Sequence, residues 1–545
     1  MALAREAYRA LEDVVRPEYL TEEPAVLDGY CFVWGNDVIF GDNFAPRPHA
    51  VILPGSTEEV QGIVKVCNRY GIEFKAHSTG FVSAAFSSRT GFLSIDLRRM
   101  NKILEIDERN MYAVVEPYVS SCELITETIK RGLRSYNPAG PSTSIVASAT
   151  SFCGLSSAQI SAGFGGRTPL SVEWVLPDGE ILRLGSLATG AGWFTGDGPG
   201  PSLRGVMRGY SGPAGGLGVI TKAAIKLVPW YGPPQIETTG KPPSYRAEIP
   251  ASFRVYTVVF PSRDQLFEAL YLTSEEAISY ACSRRGPFTM AAGMTASNKE
   301  VEEVWRGGYF QNKFAHSLSV VLDASSPREM EYREACLQEI LRRTEGEIFP
   351  EDSRAQSARF VHAFTGQGGV KGTFRSTGAF ITGANADEAL KVLQKANELA
   401  YGLKDKFAKE GKILDDADSA WVTGYEDSAF GGHEELVVRY DPADPDSTRA
   451  AAEVMSLIDS LWLEKNIDIG AFAGCSHSSF EGSIHEIAGP KCLNYHIWMK
   501  KIKSAFDPNL VSESSFYVNP DVNNTSSANS QKSTQNDLDN KQPIA

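Results

Sequence analysis

One stretch near the start of the chain, residues 49–78 (HAVILPGSTEEVQGIVKVCNRYGIEFKAHS), constrains the fold most strongly. An apolar strand predicted over His49–Leu53 ends at Pro-Gly, and Ser56 with Glu59 has the S-x-x-E spacing of a helix-starting capping box. A buried helical face follows at i, i+3, i+4 and i+7, formed by Val60, Ile63, Val64 and Cys67. Gly71 predicts the end of that helix before a second strand. The pattern predicts a β-α-β unit.

The loop after this unit, STGFVSAAF from Ser78 to Phe86, combines small side chains with hydroxyl donors. Small residues allow backbone N–H groups to approach a pyrophosphate closely. A dinucleotide fingerprint would need G-x-G-x-x-G leading into a helix, whereas this loop runs to another strand, GFLSIDL. Taken alone, the loop is more typical of a polar turn between strands.

Charge and composition exclude several classes of function. The net charge of −14 and pI near 5.2 exclude a nucleic-acid partner, because phosphate neutralisation needs a basic surface. The eight cysteines form no CxxC pair and no zinc-type cluster, which predicts reduced thiols. No signal-like apolar core and no run of about 18 apolar residues occurs. We therefore predict a cytoplasmic protein without a transmembrane segment.

The sequence pattern changes at about residue 235. Strands such as SFRVYTVVF and HEELVVRYDP alternate with long helices such as RDQLFEALYLTSEEAISYAC and ADEALKVLQKANELAYGLKDKFAKEG. This alternation predicts an antiparallel sheet covered on one face, in a domain on the substrate side. The predicted units are an N-terminal segment (1–44), an α+β domain (45–232), the antiparallel domain (233–489), a returning C-terminal segment (490–518) and a disordered polar tail (519–545).

The order of the elements is more specific than any one of them. The β-α-β unit is followed by LSIDLRRMNKILEIDERNMYAVVEP, GRTPLSVEWVLPDGEILRLGS, GGLGVITKAAIKLVP and the terminal IKSAFDPNLV. This succession resembles the vanillyl-alcohol oxidase/p-cresol methylhydroxylase (PCMH-type) flavoprotein superfamily over roughly residues 45–230 and 490–518. The resemblance implies FAD as the cofactor and an α+β fold: an FAD-binding domain of two α+β subdomains, plus an antiparallel-sheet cap domain that binds substrate.

The resemblance also implies which residues contact the flavin. Ser78-Thr79-Gly80 looks like the pyrophosphate loop, NPAGPSTS (137–144) like a second flavin segment, and Gly218-Val219-Ile220 like the GIVTK element beside the flavin. Phe81 stands where the family often has a basic or polar residue, and Ser148 where asparagine is common. The predicted cofactor-binding residues are His77, Ser78, Thr79, Gly80, Phe81, Pro138, Gly140, Pro141, Ser142, Ser148, Gly154, Gly218, Val219 and Ile220.

In such proteins the flavin accepts the hydride, so the protein must orient the donor carbon and handle a proton. The strand GYEDSAFGGHEELVVRYDP (424–442) places His433 and Arg439 on one face and Glu434 on the other. A solvated strand face is the ordinary interpretation of Glu434 and Arg439, whereas a functional and a structural role are equally open for His433. The predicted catalytic residues are His433, Tyr425 and Arg375.

A cationic run, SRAQSARFVHAFTGQGGVKGTFRS, offers a second hypothesis, a guanidinium clamp for a carboxylate substrate. Its basic residues are Arg354, Arg359, His362, Lys371 and Arg375. Surface charge is the alternative for each of them. His477 and His485 lie near Glu481 and Glu486, but the spacing matches no standard metal site, so we predict no metal.

The resemblance predicts an FAD-dependent oxidase or dehydrogenase that removes a hydride from an alcohol or activated benzylic carbon. The partners are then a small-molecule substrate and an electron acceptor, and a homo-oligomer is compatible with the sequence. We favour non-covalent FAD, although His77 adjoins the loop. The alternatives are a 2-hydroxy-acid dehydrogenase of the D-lactate/glycolate type, a non-redox transferase similar to alkylglycerone-phosphate synthase, and a non-catalytic partner subunit.

Overall fold

The structure is a computed structural model, and it describes residues 3–32, 35–41, 44–80, 87, 90–136, 140, 142–152, 156, 158–198, 203–208, 216–240, 246–295, 297–365, 380–418, 420–426, 430–467 and 489–514. Its strands in chain order are β1 Leu20–Thr21, β2 Ala50–Ile52, β3 Phe74–His77, β4 Leu93–Asp96, β5 Ile103–Asp107, β6 Tyr112–Val115, β7 Leu133–Arg134, β8 Pro169–Val175, β9 Ile181–Arg183, β10 Val219–Lys226, β11 Val228–Pro229, β12 Thr238–Thr239, β13 Arg246–Ala247, β14 Phe253–Val259, β15 Ser279–Arg284, β16 Ser317–Asp323, β17 Glu347–Phe349, β18 Phe380–Glu388, β19 Ala420–Glu426 and β20 Phe430–Arg439.

The α-helices of the same residues are α1 Arg5–Val15, α2 Pro24–Asp28, α3 Asn36–Phe40, α4 Thr57–Tyr70, α5 Ser121–Ile129, α6 Ile145–Ala147, α7 Gln159–Ala162, α8 Arg204–Arg208, α9 Arg263–Glu275, α10 Pro287–Met294, α11 Asn298–Arg306, α12 Tyr309–Lys313, α13 Pro327–Thr344, α14 Ser353–Thr365, α15 Leu390–Lys409, α16 Pro445–Lys465 and α17 Tyr495–Phe506.

The predicted β-α-β unit supplies two strands of the first sheet, whose strand order is β1-β2-β4-β3. Strands β2 and β3 both pair in parallel with β4, and α4 connects β2 to β3. Ser56 Oγ accepts a hydrogen bond from Glu59 N at 3.2 Å, but the Glu59 carboxylate accepts from Gly55 N at 2.7 Å instead of closing the box on Ser56. Gly71 ends the helix in the left-handed conformation, as the sequence predicts.

The second sheet completes the first α+β domain and is antiparallel, in the order β5-β6-β10-β8-β9. Helix α5 begins with a full capping box. The backbone N–H of Glu123 donates to the Ser120 hydroxyl, and the backbone N–H of Ser120 donates to the Glu123 carboxylate. Trp174 of β8 is fully buried in the core beneath this sheet, and its indole stacks at 5.7 Å on Phe506 of α17. The C-terminal helix therefore packs against the N-terminal α+β domain.

The third sheet is antiparallel and has the order β17-β14-β16-β15-β19-β20-β18. Helices α9, α13, α15 and α16 cover one face, where apolar side chains of all four helices join one buried cluster with the strands. The other face packs on α14 and on the first domain, through residues such as Ile125 and Trp230. The described strands of this sheet are therefore covered on both faces.

One predicted helix is shorter than its sequence pattern indicates. The segment RDQLFEALYLTSEEAISYAC reads as one helix, but α9 ends at Glu275, and the residues from Ser279 onward form β15. Ala277 adopts a left-handed φ of 49° between the two elements. Ala281 and Cys282 at the end of the segment pair with β16, and this tertiary pairing overrides the local helical pattern.

Candidate functional site

The predicted pyrophosphate loop begins where β3 ends, in a fixed polar environment. The ring of Tyr30 contacts the imidazole of His77 edge-on at 5.2 Å between centroids. The Tyr30 hydroxyl donates to Asp96 Oδ2 at 2.5 Å, and Arg98 pairs with the same carboxylate oxygen at 2.6 Å. Burial, followed by the hydrogen bond to Asp96, raises the pKa of the Tyr30 hydroxyl. The end of β3 thus lies beside a partly buried hydrogen-bonded group.

Two of the predicted flavin segments meet directly. The backbone N–H of Ser144 donates to Thr79 Oγ1 at 3.1 Å, which joins the loop after β3 to the segment before α6. The Ser144 hydroxyl donates to the carbonyl of Pro117 at 2.6 Å and accepts from Ala147 N at 3.0 Å. Gly140 closes the turn before it, since its carbonyl accepts from Thr143 N. Residues 78–80 and 140–148 therefore form one local surface.

Two buried hydroxyl groups on this surface have no hydrogen-bond partner among the described residues. They belong to Thr143, which is 6% exposed, and to Ser148, which is 1% exposed. A buried hydroxyl without a partner is costly, so such groups normally serve a bound molecule or water. Hydroxyls beside Thr79 are suited to the polar phosphate and sugar groups of a dinucleotide. The residues present fit the flavin that the resemblance implies.

The glycine segment before β10 is held by the C-terminal segment, a relation that sequence reasoning missed. The buried ammonium of Lys503 donates to the carbonyls of Gly216 at 2.7 Å and Ser512 at 2.5 Å, and it also forms an ion pair with Asp507. Ser512 Oγ in turn accepts from Gly218 N at 3.1 Å. The i, i+4 spacing of Lys503 and Asp507 in KSAFD was the available sequence signal for this pair.

The same C-terminal segment lies beside β3. Phe74 N donates to the carbonyl of Val511 at 2.8 Å, and Glu513 N donates to the carbonyl of Phe74 at 2.9 Å. Lys75 and Glu513 form an ion pair at 3.3 Å, with both side chains almost completely buried. Residues 511–513 therefore connect the strand that leads to the Ser78 loop with the segment that contains Gly218.

One face of the cap sheet lies toward the first domain. Across neighbouring strands, Ser283 pairs with Thr423 and Thr423 pairs with His433. Helix α7 of the first domain packs on β15 and β19, and its Ser161 Oγ donates to the carbonyl of Tyr280 at 2.6 Å. His433 is 3% exposed, and its Nε2 lies 3.4 Å from Glu435 Oε1. A buried imidazole–carboxylate pair thus faces the FAD-side domain.

Glu434 and Arg439 do not lie on a solvated strand face, contrary to the ordinary interpretation of their charges. Glu434 is fully buried on the helix side of the sheet, where it accepts from Asn397 Nδ2 at 2.8 Å. Arg439 is 1% exposed, and its Nε lies 3.3 Å from Asp416 Oδ2. Its guanidinium stacks over the ring of Phe288. Alternation along a strand predicts the face of a residue, but it does not predict what covers that face.

Burial raises the pKa of Glu434 to about 8, so the folded protein holds this carboxyl protonated near neutral pH. The unfolded chain releases the proton at the usual value of about 4.5. The free energy of unfolding should therefore fall as the pH rises from about 4.5 to 8, by about 2 kcal/mol between pH 6 and pH 8. Glu434→Gln keeps an acceptor for Asn397 and should remove this part of the slope, measured by urea unfolding at several pH values.

The partly exposed Glu398 on the same helix as Asn397 provides the control for this measurement. Its carboxylate pairs with Lys395 at 3.0 Å in solvent, so Glu398→Gln should leave the pH profile parallel to that of the wild type. Parallel profiles for Glu434→Gln and the wild type would contradict a buried, neutral Glu434.

The cationic run of the sequence is partly buried. Arg359 and His362 lie on α14, and Arg359 is 7% exposed, so surface charge does not explain it. Arg354, on the same helix, is half-buried. Several predicted positions lie outside the described residues: Phe81, Pro138, Pro141, Gly154, Lys371, Arg375, His477 and His485. Tyr425 is described only as a backbone position of β19, and the tail 519–545 is also outside.

Two further observations concern metals and membranes. Within the described ranges, no group of three or more His, Cys, Asp or Glu side chains is placed to hold a metal ion. In the same ranges, no helix combines the length and apolar character that crossing a membrane requires.

Comparison with known proteins assigns the first domain. A family model described as "FAD binding domain" matches residues 48–185. The chain contains an FAD-binding domain. The resemblance to the PCMH-type flavoprotein superfamily is confirmed, together with the α+β fold and FAD as the cofactor. No curated protein matches the sequence.

Solved structures of similar fold match almost the whole length of this chain. P-cresol methylhydroxylase with substrate bound has a TM-score of 0.73 at 18% identity, covering 93% of this chain and 95% of its own. The 4-ethylphenol oxidase from Gulosibacter chungangensis, in complex with isoeugenol, has 0.71 at 19%, covering 94% and 97%. An alkyldihydroxyacetonephosphate synthase has 0.64 at 16%, covering 94% and 84%. At these identities the similarity shows the fold alone.

Proposed function

We propose that this chain is an FAD-dependent oxidoreductase that removes a hydride from an alcohol carbon or an activated benzylic carbon. The observation that carries the proposal is the buried His433–Glu435 pair on the cap-sheet face against which α7 of the FAD-binding domain packs. A site between these two domains would bring a proton-accepting side chain opposite the cofactor domain. Two proteins of similar structure, a p-cresol methylhydroxylase and a 4-ethylphenol oxidase, support an alcohol or benzylic donor.

Bound FAD supplies the hydride acceptor in this chemistry. The imidazole of His433 would accept the proton of the donor hydroxyl, and the Glu435 carboxylate 3.4 Å away would stabilise the imidazolium that results. The low exposure of both side chains excludes bulk water and strengthens this interaction. Glu435 therefore acts as a positioning residue, and His433 as the proposed catalytic residue. Tyr425 and Arg375 stay predictions from the sequence.

The test is reduction of the bound flavin under anaerobic conditions. We expect purified protein to show flavin absorbance, and a phenolic or alcohol donor to bleach it. His433→Gln should slow bleaching by about 100-fold or more while flavin content is unchanged, because general base catalysis contributes on this scale. His316→Gln, another cap histidine, should bleach at the wild-type rate. Rapid bleaching of His433→Gln would contradict the assigned role.

The second candidate function is a non-redox transferase. It is favoured by the similarity to two alkyldihydroxyacetonephosphate synthase structures, each of which matches 94% of this chain. A coloured protein that no alcohol or phenolic donor bleaches would favour this candidate. A protein that stays colourless after incubation with FAD would contradict both catalytic proposals and favour a partner subunit.

A further inference from the structure

Arg285 is a buried cation that the chemistry above does not use. It directly follows β15, where its N–H donates to the carbonyl of Ser317 at 3.3 Å, and the Ser317 hydroxyl donates back to the Arg285 carbonyl at 3.0 Å. The residue is only 6% exposed. Across the part of the chain that the structure describes, no carboxylate or other acceptor contacts its guanidinium. The backbone of Arg285 is thus fixed by hydrogen bonds, whereas its guanidinium group is available to bind another partner.

A second buried guanidinium lies close to the first. Arg359 on α14 is 7% exposed, and its Nε is 3.6 Å from Glu351 Oε1. Its Nη2 atom is buried without a hydrogen-bond acceptor among the described residues. Gly293 of α10 allows this approach, since a Cβ atom there would lie 3.3 Å from Arg359 Nη1. Among the described residues, Arg359 has an ion pair with Glu351 and Arg285 has none, which leaves one positive charge in excess.

The pKa shifts of the neighbouring groups agree with one positive charge in excess. Burial, and then the charge of Arg359, lowers the pKa of Arg285 to about 9, so the guanidinium stays charged at neutral pH. Burial and the same two arginines lower the pKa of His362 well below its usual value, so the imidazole is neutral. A buried charge without a partner strongly destabilises a fold, and such charges are normally paired. An anion bound between the arginines would satisfy both of them.

Arg285 lies in the same sheet region as His433, the proposed catalytic residue. Arg285 continues the register of β15, two residues beyond Ser283, and Ser283 lies in the same cross-strand row as His433. Strand rise and strand spacing place the Cα atoms of Arg285 and His433 roughly 12 Å apart on the same side of the sheet. Two long side chains at that separation are able to hold opposite ends of one small molecule.

We propose that Arg285 and Arg359 form a binding site for a carboxylate or phosphate group, carried by the substrate of this flavoprotein. The planar guanidinium binds such groups through two parallel hydrogen bonds, which gives affinity and orientation together. The assignment to the substrate rests on the proposed oxidoreductase function, because His433 defines the other end of the site. Binding of the anion itself does not depend on catalysis.

The test is anion binding to the purified full-length flavoprotein, measured by titration calorimetry with inorganic phosphate and, separately, with benzoate. We expect saturable binding of at least one of the two anions. Arg285→Met should weaken that binding at least 10-fold and, without anion, should raise the melting temperature because an unpaired buried charge is gone. Arg354→Met, on the same helix as Arg359 but half-buried, should bind like the wild type.

Two results would contradict the proposed anion-binding site. One is wild-type protein that binds neither phosphate nor benzoate, and the other is Arg285→Met protein that binds the anion as tightly as the wild type. If Arg285→Met does not fold, Arg359→Lys provides the same comparison with the charge kept and the two-pronged geometry lost. Preference for benzoate identifies a carboxylate substrate, and preference for phosphate a phosphate ester. Absence of flavin bleaching alongside anion binding would contradict the redox proposal and leave the anion site supported.

Discussion

Replacing Lys503 by methionine is expected to lower the free energy of unfolding by about 3–5 kcal/mol and to reduce the amount of FAD that copurifies with the protein. The Lys503 ammonium is 3% exposed and holds together Asp507 and the carbonyls of Gly216 and Ser512. Its loss leaves the buried Asp507 carboxylate without a counter-charge. It also frees the glycine segment that leads into Gly218, so flavin contacts should weaken with stability.

Urea unfolding and the ratio of flavin to protein absorbance measure the two effects. Lys501→Met provides the matched control, because Lys501 lies on the same helix, is exposed and contacts the ring of Trp498 at 4.2 Å. Its effect should stay within about 0.5 kcal/mol. The double variant Lys503→Met with Asp507→Asn should recover part of the loss, since it no longer buries an unpaired charge. A Lys503→Met protein with wild-type stability and flavin content would refute this role.

The second large effect is expected for Gly218→Ala. Gly218 has a φ of +94°, and a Cβ atom added there would lie 2.2 Å from the carbonyl oxygen of Val175. The neighbouring Val219 pairs with Val175 in the sheet, so the backbone cannot move away without breaking that pairing. Backbone strain and overpacking together should cost about 3–5 kcal/mol, measured as a lower urea midpoint.

Gly190→Ala separates the two causes. Gly190 also has a positive φ, +73°, but a Cβ atom there meets nothing within 4 Å. Its substitution should therefore cost only the conformational strain, about 1–2 kcal/mol. Equal losses for the two variants would show that the Val175 contact is unimportant, and that the strand relaxes around the added methyl group.

Local sequence signals determined the elements that carry the FAD-binding domain. The spacing of apolar residues from Val60 to Cys67, the Ser56 N-cap and Gly71 are short-range features, and they predicted α4 and the strands around it correctly. The same holds for the start of α5 at Ser120. Interactions within one turn or one strand decide such elements, so a single sequence contains the information.

Only the tertiary structure decided how distant segments meet. The contact of Gly218 with Ser512 joins residues 294 positions apart, and no local pattern encodes it. The burial of Glu434 and of Arg285 depends on the helices and domains that cover each face of the cap sheet. The sequence shows the same charged residue whether water or protein covers its side chain. Its chemistry follows from the surrounding charges and the water excluded, which the folded chain alone determines.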